Sequence, residues 1–199
     1  MRIKDDNKKD AIFEATIALL NEIGFADITM SKIGKRAGVS SSTIYVYFEN
    51  KEDMLKKVYL DVEQKLSAAI SRGIQEDTPM QQVVKQLVKN VLTFVLENKQ
   101  YFLFSEQFSN SPFVDKEDAY RMFQPLINVF ENGKRQGLLK QANTELLVAY
   151  CYQPIAQVAK GALKRNIRIS EEDIQQIIQI SWDGIKASHS SNESGDIRN

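Results

Sequence analysis

Apolar residues in this chain recur at intervals of three and four, and 9 glycines and 4 prolines in 199 residues are too few to break the pattern often. That spacing puts apolar side chains on one stripe of a helix, whereas a strand would need alternation at two. The chain therefore reads as all-α, with its breaks marked by capping residues and glycine. Residues 8–24 carry Ile12, Ala15, Leu19 and Ile23 on one stripe and stop at Gly24. A short helix is predicted over 30–37, capped by Thr29 and ended by Gly38. A third, capped by Ser40 or Ser41, runs to about residue 48, and after "ENKED" a long helix starts at Lys51 and continues to about residue 73.

"QEDTP" marks the clearest boundary, with Thr78 and Pro79 as cap and first-turn pair for a helix over 79–98. "YFLFSEQF" is expected to form another helix, ended by "SNSP". One continuous helix is expected over 115–136, closed by Gly137, and two more over 144–165 and 170–187. In the last of these "SEED" puts acids at the amino end, where the helix dipole favours them. The polar tail 189–199 is expected to be disordered. The expected organisation is a three-helix unit over 1–50, a connecting helix over 51–74 and a larger helical bundle over 75–188.

Composition narrows the function. With 43% hydrophobic and 26% charged residues the chain has the make-up of a soluble globular protein. The 26 Lys+Arg balance the 26 Asp+Glu, and the first 57 residues carry only a small basic excess, too weak to argue for nucleic acid by itself. Cys151 is the single cysteine, which excludes an intrachain disulfide and suits a cytoplasmic location; within "LLVAYCYQPIA" a buried structural thiol is favoured over a reactive one. No secretory signal and no apolar run long enough to span a bilayer is visible, so no membrane partner is expected. A catalytic reading lacks parts: His189, the single histidine, falls in the tail, and an isolated cysteine makes no nucleophile pair. No Glu-x-x-His motif occurs, so no enzyme activity, metal or other cofactor is expected.

Three short helices bury little alone, but they can pack as a unit in which the second and third meet at a tight glycine turn, the helix-turn-helix arrangement. The stretch "GVSSSTIYVYFENKEDML", residues 38–55, carries the third helix. Ile44 and Phe48 lie four apart and face inward, with Tyr47 at the edge, while Ser41, Ser42, Thr43, Tyr45 and Val46 form the opposite face. Short hydroxyls fit a major groove and reach phosphates and base edges, tyrosine hydroxyls reach phosphates, and a valine can meet a thymine methyl. A blander reading competes, in which the serines merely cap and the tyrosines merely pack. Lys51 tips the balance, because a lysine opening a helix is disfavoured by the dipole unless a phosphate binds there.

The segment "ITMSKIGKRAGVSSSTIYVYFENKEDML", preceded by "ATIALLNEIGF", resembles the DNA-binding region of the TetR family of bacterial transcriptional repressors. Several spaced elements carry the likeness in order: "T-x-x-x-I", "AGVS", "IY-x-YF" and "NKEDM". The resemblance implies an all-helical homodimer with an amino-terminal DNA-binding domain and a larger domain for ligand binding and dimerisation. Carried over by position, the implied DNA contacts are Thr29, Ser31, Ser40, Ser41, Ser42, Thr43, Tyr45, Val46, Tyr47 and Lys51. Two departures stand out. Gly34 occupies a position usually held by alanine, at a cost of about 1 kcal/mol unless close packing requires it. Val46 replaces a residue that is often aromatic or polar.

In the larger bundle aromatics concentrate near the middle, and an aromatic-lined pocket with a few polar groups is the usual form of a small-molecule site. Candidate pocket residues are Phe94, Phe102, Phe104, Glu106, Gln107, Phe108, Tyr120, Phe123, Tyr150, Gln153 and Gln157. A stripe of aromatics is also what a plain core contains, and a buried Glu106 would call for a cationic ligand where an exposed one would not. Pro125 and Pro154 fall inside predicted helices and invite kinks. The last two helices carry more apolar surface than one face needs, which predicts an interface including Tyr152, Ile155, Val158, Ala159, Leu163, Ile177, Ile178, Trp182 and Ile185. The expected function is a repressor that binds a palindromic double-stranded DNA operator as a homodimer and is released by a small, largely apolar effector. Its rival is a helical dimeric protein-interaction module without DNA binding.

Overall fold

The structure, a computed structural model, describes residues 3–109, 111 and 116–188. The tail 189–199 with His189, Phe113 and the predicted helix start at Asp115 lie outside the described residues. Ten α-helices follow one another among the described residues: α1 (Ile3–Asp27), α2 (Met30–Ala37), α3 (Ser41–Tyr47), α4 (Lys51–Ile70) and α5 (Met80–Glu97), then α6 (Lys99–Phe108), α7 (Lys116–Met122), α8 (Gln124–Arg135), α9 (Thr144–Arg165) and α10 (Glu171–Ile185). None of them is long and apolar enough to cross a membrane.

Caps set the short amino-terminal helices. The Thr29 hydroxyl accepts from Lys32 N at 3.3 Å, and Gly38 ends α2 at φ 69°, a left-handed conformation that favours glycine. Ser40 Oγ accepts from Thr43 N to open α3, and Asn50 Oδ1 accepts from Asp53 N at 2.8 Å to open α4. Asp53 returns the favour by accepting from Glu49 N. A fully reciprocal cap opens α10, where Asp173 N donates to Ser170 Oγ and Ser170 N donates to Asp173.

Three boundaries differ from expectation. Gly24 does not end α1; it takes a non-helical φ of 76° and the helix resumes to Asp27 beyond the kink. Thr78 does not cap α5, since its hydroxyl accepts from Gln75 N and Pro79 occupies the cap position. The single helix expected over 115–136 is two, broken at Phe123, with Pro125 in the first turn of α8, where its missing N–H costs nothing. Ser67 Oγ on α4 donates to the Met122 carbonyl at 2.6 Å and so satisfies an end group that the break exposes.

Two apolar cores share the chain. The first joins Ile12, Leu20, Ile33 and Ile44 of α1–α3 to Met54, Leu55 and Val58 of α4, and takes in Phe104 and Phe108 from α6. The second surrounds α5, whose Val83, Leu87, Val88 and Val91 pack with Phe102, Phe130, Cys151, Ile155 and Ala159. Cys151 is buried there, and desolvation pushes its thiol up to about 12, so it is an inert packing residue. Each fully buried Val, Leu, Ile, Phe or Met side chain in these cores stabilises the fold by roughly 1.5–3 kcal/mol.

Candidate nucleic-acid interface and ligand cavity

Helix α3 is anchored on one side and bare on the other. Ile44 and Phe48 are buried against α1, with the Phe13 and Phe48 rings 6.0 Å apart, whereas Tyr45 is 56% and Val46 78% exposed. Ser40 Oγ lies 2.8 Å from both Ser42 Oγ and Thr43 Oγ1, so the hydroxyls form one connected cluster at the amino end of α3. Thr29 and Ser31 are exposed at the start of α2, Ser41 is half-buried, and Tyr47 is half-buried beside Phe48. Arg36 forms a two-pronged pair with Glu22, at 2.7 and 3.0 Å, and holds the Glu22 carboxyl below its usual range. That pair fixes α2 on α1.

Two further details bear on this face. Lys51 does not stand free at the start of α4. Its Nζ donates to the Phe25 carbonyl at 3.3 Å and lies 4.8 Å over the Phe25 ring, a contact across the chain that no local pattern announces. Gly34 has a packing reason: a Cβ there would lie 2.7 Å from the Val39 carbonyl oxygen, so α2 and the turn approach too closely for alanine.

The second site is a cavity of about 870 Å³ lined by α4, α6, α7, α8 and α9 and open on one side to solvent. Phe102, Glu106, Gln107, Tyr120, Phe123 and Gln153 line it, and Gln157 donates to Glu106 Oε1 at 3.0 Å from outside the lining. The other candidates lie elsewhere. Phe94 is in the core around α5, while Phe104 and Phe108 stack at 5.7 Å within the amino-terminal core. The reason is helical phase: residues 102, 103, 105, 106 and 107 of α6 line the cavity, and 101, 104 and 108 pack into the amino-terminal core. Tyr150 is half exposed on the outer side of α9, its ring so near Gly184 that a Cβ there would lie 2.5 Å from it.

Several lining residues escaped the sequence reading: Tyr59, Glu63, Leu66 and Ile70 of α4, Ser105 of α6, and Glu145, Val148 and Lys160 of α9. Tyr152, expected at an interface, faces the cavity. Glu63 is 5% exposed and accepts from Ser105 Oγ and the Tyr59 hydroxyl. Burial holds its carboxyl above the ordinary glutamate range against the opposing pull of those two donors. A signal for it existed, because Tyr59, Glu63, Leu66 and Ile70 are spaced as one helical stripe in which a single acid interrupts the apolar run. Glu106 pairs with Lys160.

Most of the expected interface residues serve the monomer. Ile155, Ala159, Ile178 and Ile185 are buried in the core around α5, and Leu163, Ile177 and Trp182 pack partly against it. Of the nine, Val158 is markedly exposed; Leu146 and Tyr150 on α9 and Ile180 on α10 are exposed as well.

A capped two-helix reading head on an all-helical bundle with a large cavity defines a helix-turn-helix regulator. Residues 12–58 match the model of bacterial regulatory proteins of the tetR family, and residues 79–186 match a tetracyclin repressor-like C-terminal domain. The chain belongs to the TetR family of bacterial transcriptional regulators. An uncharacterized HTH-type transcriptional regulator of Haemophilus influenzae is 25% identical over 187 residues, covering 94% of this chain and all of that one. The crystal structure of a TetR family transcription regulator from Marinobacter aquaeolei VT8 matches with a TM-score of 0.85 at 27% identity, over 94% of this chain and 100% of the other. A fatty acid metabolism regulator protein of Bacillus subtilis is 34% identical over 82 residues, 41% of this chain and 40% of its own length.

Proposed function

We propose that this regulator is a homodimeric repressor whose grip on a palindromic operator is released when a small molecule enters the bundle cavity. The observation that carries the reading is that α4 and α6 each belong to both sites. Helix α4 gives Met54, Leu55 and Val58 to the amino-terminal core and Tyr59, Glu63, Leu66 and Ile70 to the cavity wall. Helix α6 gives Phe104 and Phe108 to that core and Phe102, Ser105 and Glu106 to the cavity. A molecule that displaces either wall therefore moves a packed support of α3, and it shifts the equilibrium by its difference in affinity for the two arrangements.

In the DNA-bound form the third helices of two protomers enter successive major grooves, and Tyr45, Val46, Ser42 and Thr43 read bases and phosphates. Thr29, Ser31, Ser40, Ser41 and Tyr47 hold the backbone alongside them. Lys51 exchanges its Phe25 contact for a phosphate. The two protomers meet through Leu146, Tyr150, Val158 and Ile180, apolar side chains left bare by each chain. Residues 1–50 form the reading unit, 51–74 the connecting helix and 75–188 the effector and dimer unit, and the protein works in the cytoplasm, where the DNA is. The effector is largely apolar and compatible with aromatic walls.

Selection of bound fragments from the source genome, at two salt concentrations, tests this. The wild-type protein should recover a palindrome with steeply salt-dependent affinity, and Tyr45→Ala and Lys51→Ala should lose it while remaining folded and dimeric. Equal binding by wild type and both variants would sink the reading and favour a protein-interaction role.

A further inference from the structure

We propose that the effector is an apolar organic cation whose charge is met by Glu63 at the α4–α6 wall of the cavity; this rests on the reading of that cavity as the effector site. Glu63 is buried, its carboxyl takes hydrogen bonds from Ser105 and Tyr59, and no lysine, arginine or histidine pairs with it among the described residues. A carboxyl placed in an apolar wall with no counter-charge is costly unless something else supplies the charge. The remaining charges point the same way. Three carboxylates, those of Glu63, Glu106 and Glu145, line the cavity against the single ammonium of Lys160, which Glu106 already holds. No cation of that lining is left over to meet an anion.

The walls suit a cation with apolar substituents. Tyr59, Phe102 and Tyr152 lie on the elements around Glu63, and aromatic faces attract a desolvated cation in addition to burying its carbon. Tyr152 on α9 has its phenol pushed above the ordinary range, chiefly by burial and further by the nearby Glu63 and Glu106. At about 870 Å³ the cavity accepts a molecule of drug size, not only a small ammonium ion. The groups around Glu63 are thus Tyr59 on its own helix, Ser105 from α6 and Tyr152 from α9, and the Glu106–Lys160 pair lines the same cavity. Burial raises the Glu63 carboxyl toward its neutral form, so a cation that needs the charged form takes a proton's place there and binds more tightly as pH rises. The likeness to a fatty acid metabolism regulator covers less than half of this chain and carries no preference for a carboxylate ligand.

Three probes with the same chain and different heads test this by calorimetry on the full chain: decyltrimethylammonium, decan-1-ol and decanoate. The cation should bind at least about tenfold more tightly than the alcohol, with decanoate the weakest of the three. Glu63→Gln should bring the cation down to the level of the alcohol and leave the alcohol unchanged. Affinity for the cation should rise as pH rises above the ordinary glutamate range, with proton release that Glu63→Gln abolishes. Decanoate binding as tightly as the cation, cation binding untouched by Glu63→Gln, or no binding of any probe would overturn the assignment. If the variant fails to fold, the ranking of the three heads on the wild-type protein decides by itself. Operator binding is read separately: operator binding without cation preference removes the ligand class alone, and cation binding without any operator removes the repressor reading and leaves the site.

Discussion

The reading unit and the bundle handle polar groups in opposite ways. On α3 the hydroxyls of Ser40, Ser42 and Thr43 and the ring of Tyr45 sit at the surface, over an apolar anchor of Ile44 and Phe48. In the bundle Glu63, Ser105 and the Tyr152 ring are turned inward around a space that the chain itself does not fill. A surface meant for a charged polymer in water can leave its polar atoms solvated until the polymer arrives. A polar atom buried in a cavity wall, such as those of Glu63 and Ser105, is desolvated by the fold itself and needs an internal partner. The first arrangement adds function at little cost to stability, and the second stores a destabilised group in the fold.

That contrast is broken most severely on α3 itself. Ile44→Ala removes a fully buried side chain and should lower stability by about 2–5 kcal/mol in denaturant unfolding. Val46→Ala, two residues away and 78% exposed, should change stability by less than about 0.5 kcal/mol and alter operator affinity or preference instead. If Val46→Ala unfolds the protein as Ile44→Ala does, the outer face of α3 is structural and the division between the two faces fails.

How much of this was legible follows from range along the chain. The cap at Thr29, the cap at Ser40 or Ser41, the acidic start of α10 and the inward pair Ile44 and Phe48 depend on residues within four positions, so spacing alone suggested them. The break at Phe123 was not legible, because a proline at position 125 suits a kink or a first turn equally well. What separates the two is the Ser67 hydrogen bond to the Met122 carbonyl, 55 residues away. The phase of α6 failed for the same reason: "YFLFSEQF" offers aromatics on two sides, and packing between α1 and α4 decides that Phe104 and Phe108 leave the cavity to Phe102. Apolar residues on α9 and α10 were read as surplus when α5 uses most of them.

A sharper and smaller test sits at the joint between α2 and α3. Alanine at position 34 improves helix propensity by about 1 kcal/mol in the abstract. Here its Cβ would press on the Val39 carbonyl, a backbone atom that moves only if the turn does. The same carbonyl neighbourhood includes the Val39 N–H bond to the Gly34 carbonyl at 2.9 Å. Gly34→Ala should therefore destabilise by about 1–3 kcal/mol net, or else reopen the angle between α2 and α3 and weaken operator binding with unchanged folding. A thermal melt with an operator titration separates the two, and a stabilised variant with full affinity would show that the turn yields freely.

The smallest effect concerns the destabilised group in the cavity wall. Burial raises the Glu63 carboxyl above its ordinary range, so the ligand-free folded chain holds that proton more tightly than the unfolded chain does. Its contribution to stability is then full at low pH and declines as pH rises from the unfolded value through the folded one. Glutamine keeps the shape and can still accept from Ser105 and Tyr59, yet carries no charge to desolvate. Glu63→Gln should consequently stabilise the ligand-free protein near neutral pH by about 1 kcal/mol and flatten its melting temperature against pH, while differing little from wild type in acid. A neutral or harmful effect at neutral pH would mean that Ser105 and Tyr59 already compensate the charge. A gain would identify this carboxylate as a group kept at the expense of stability, which is what a binding cavity demands and the open face of α3 does not.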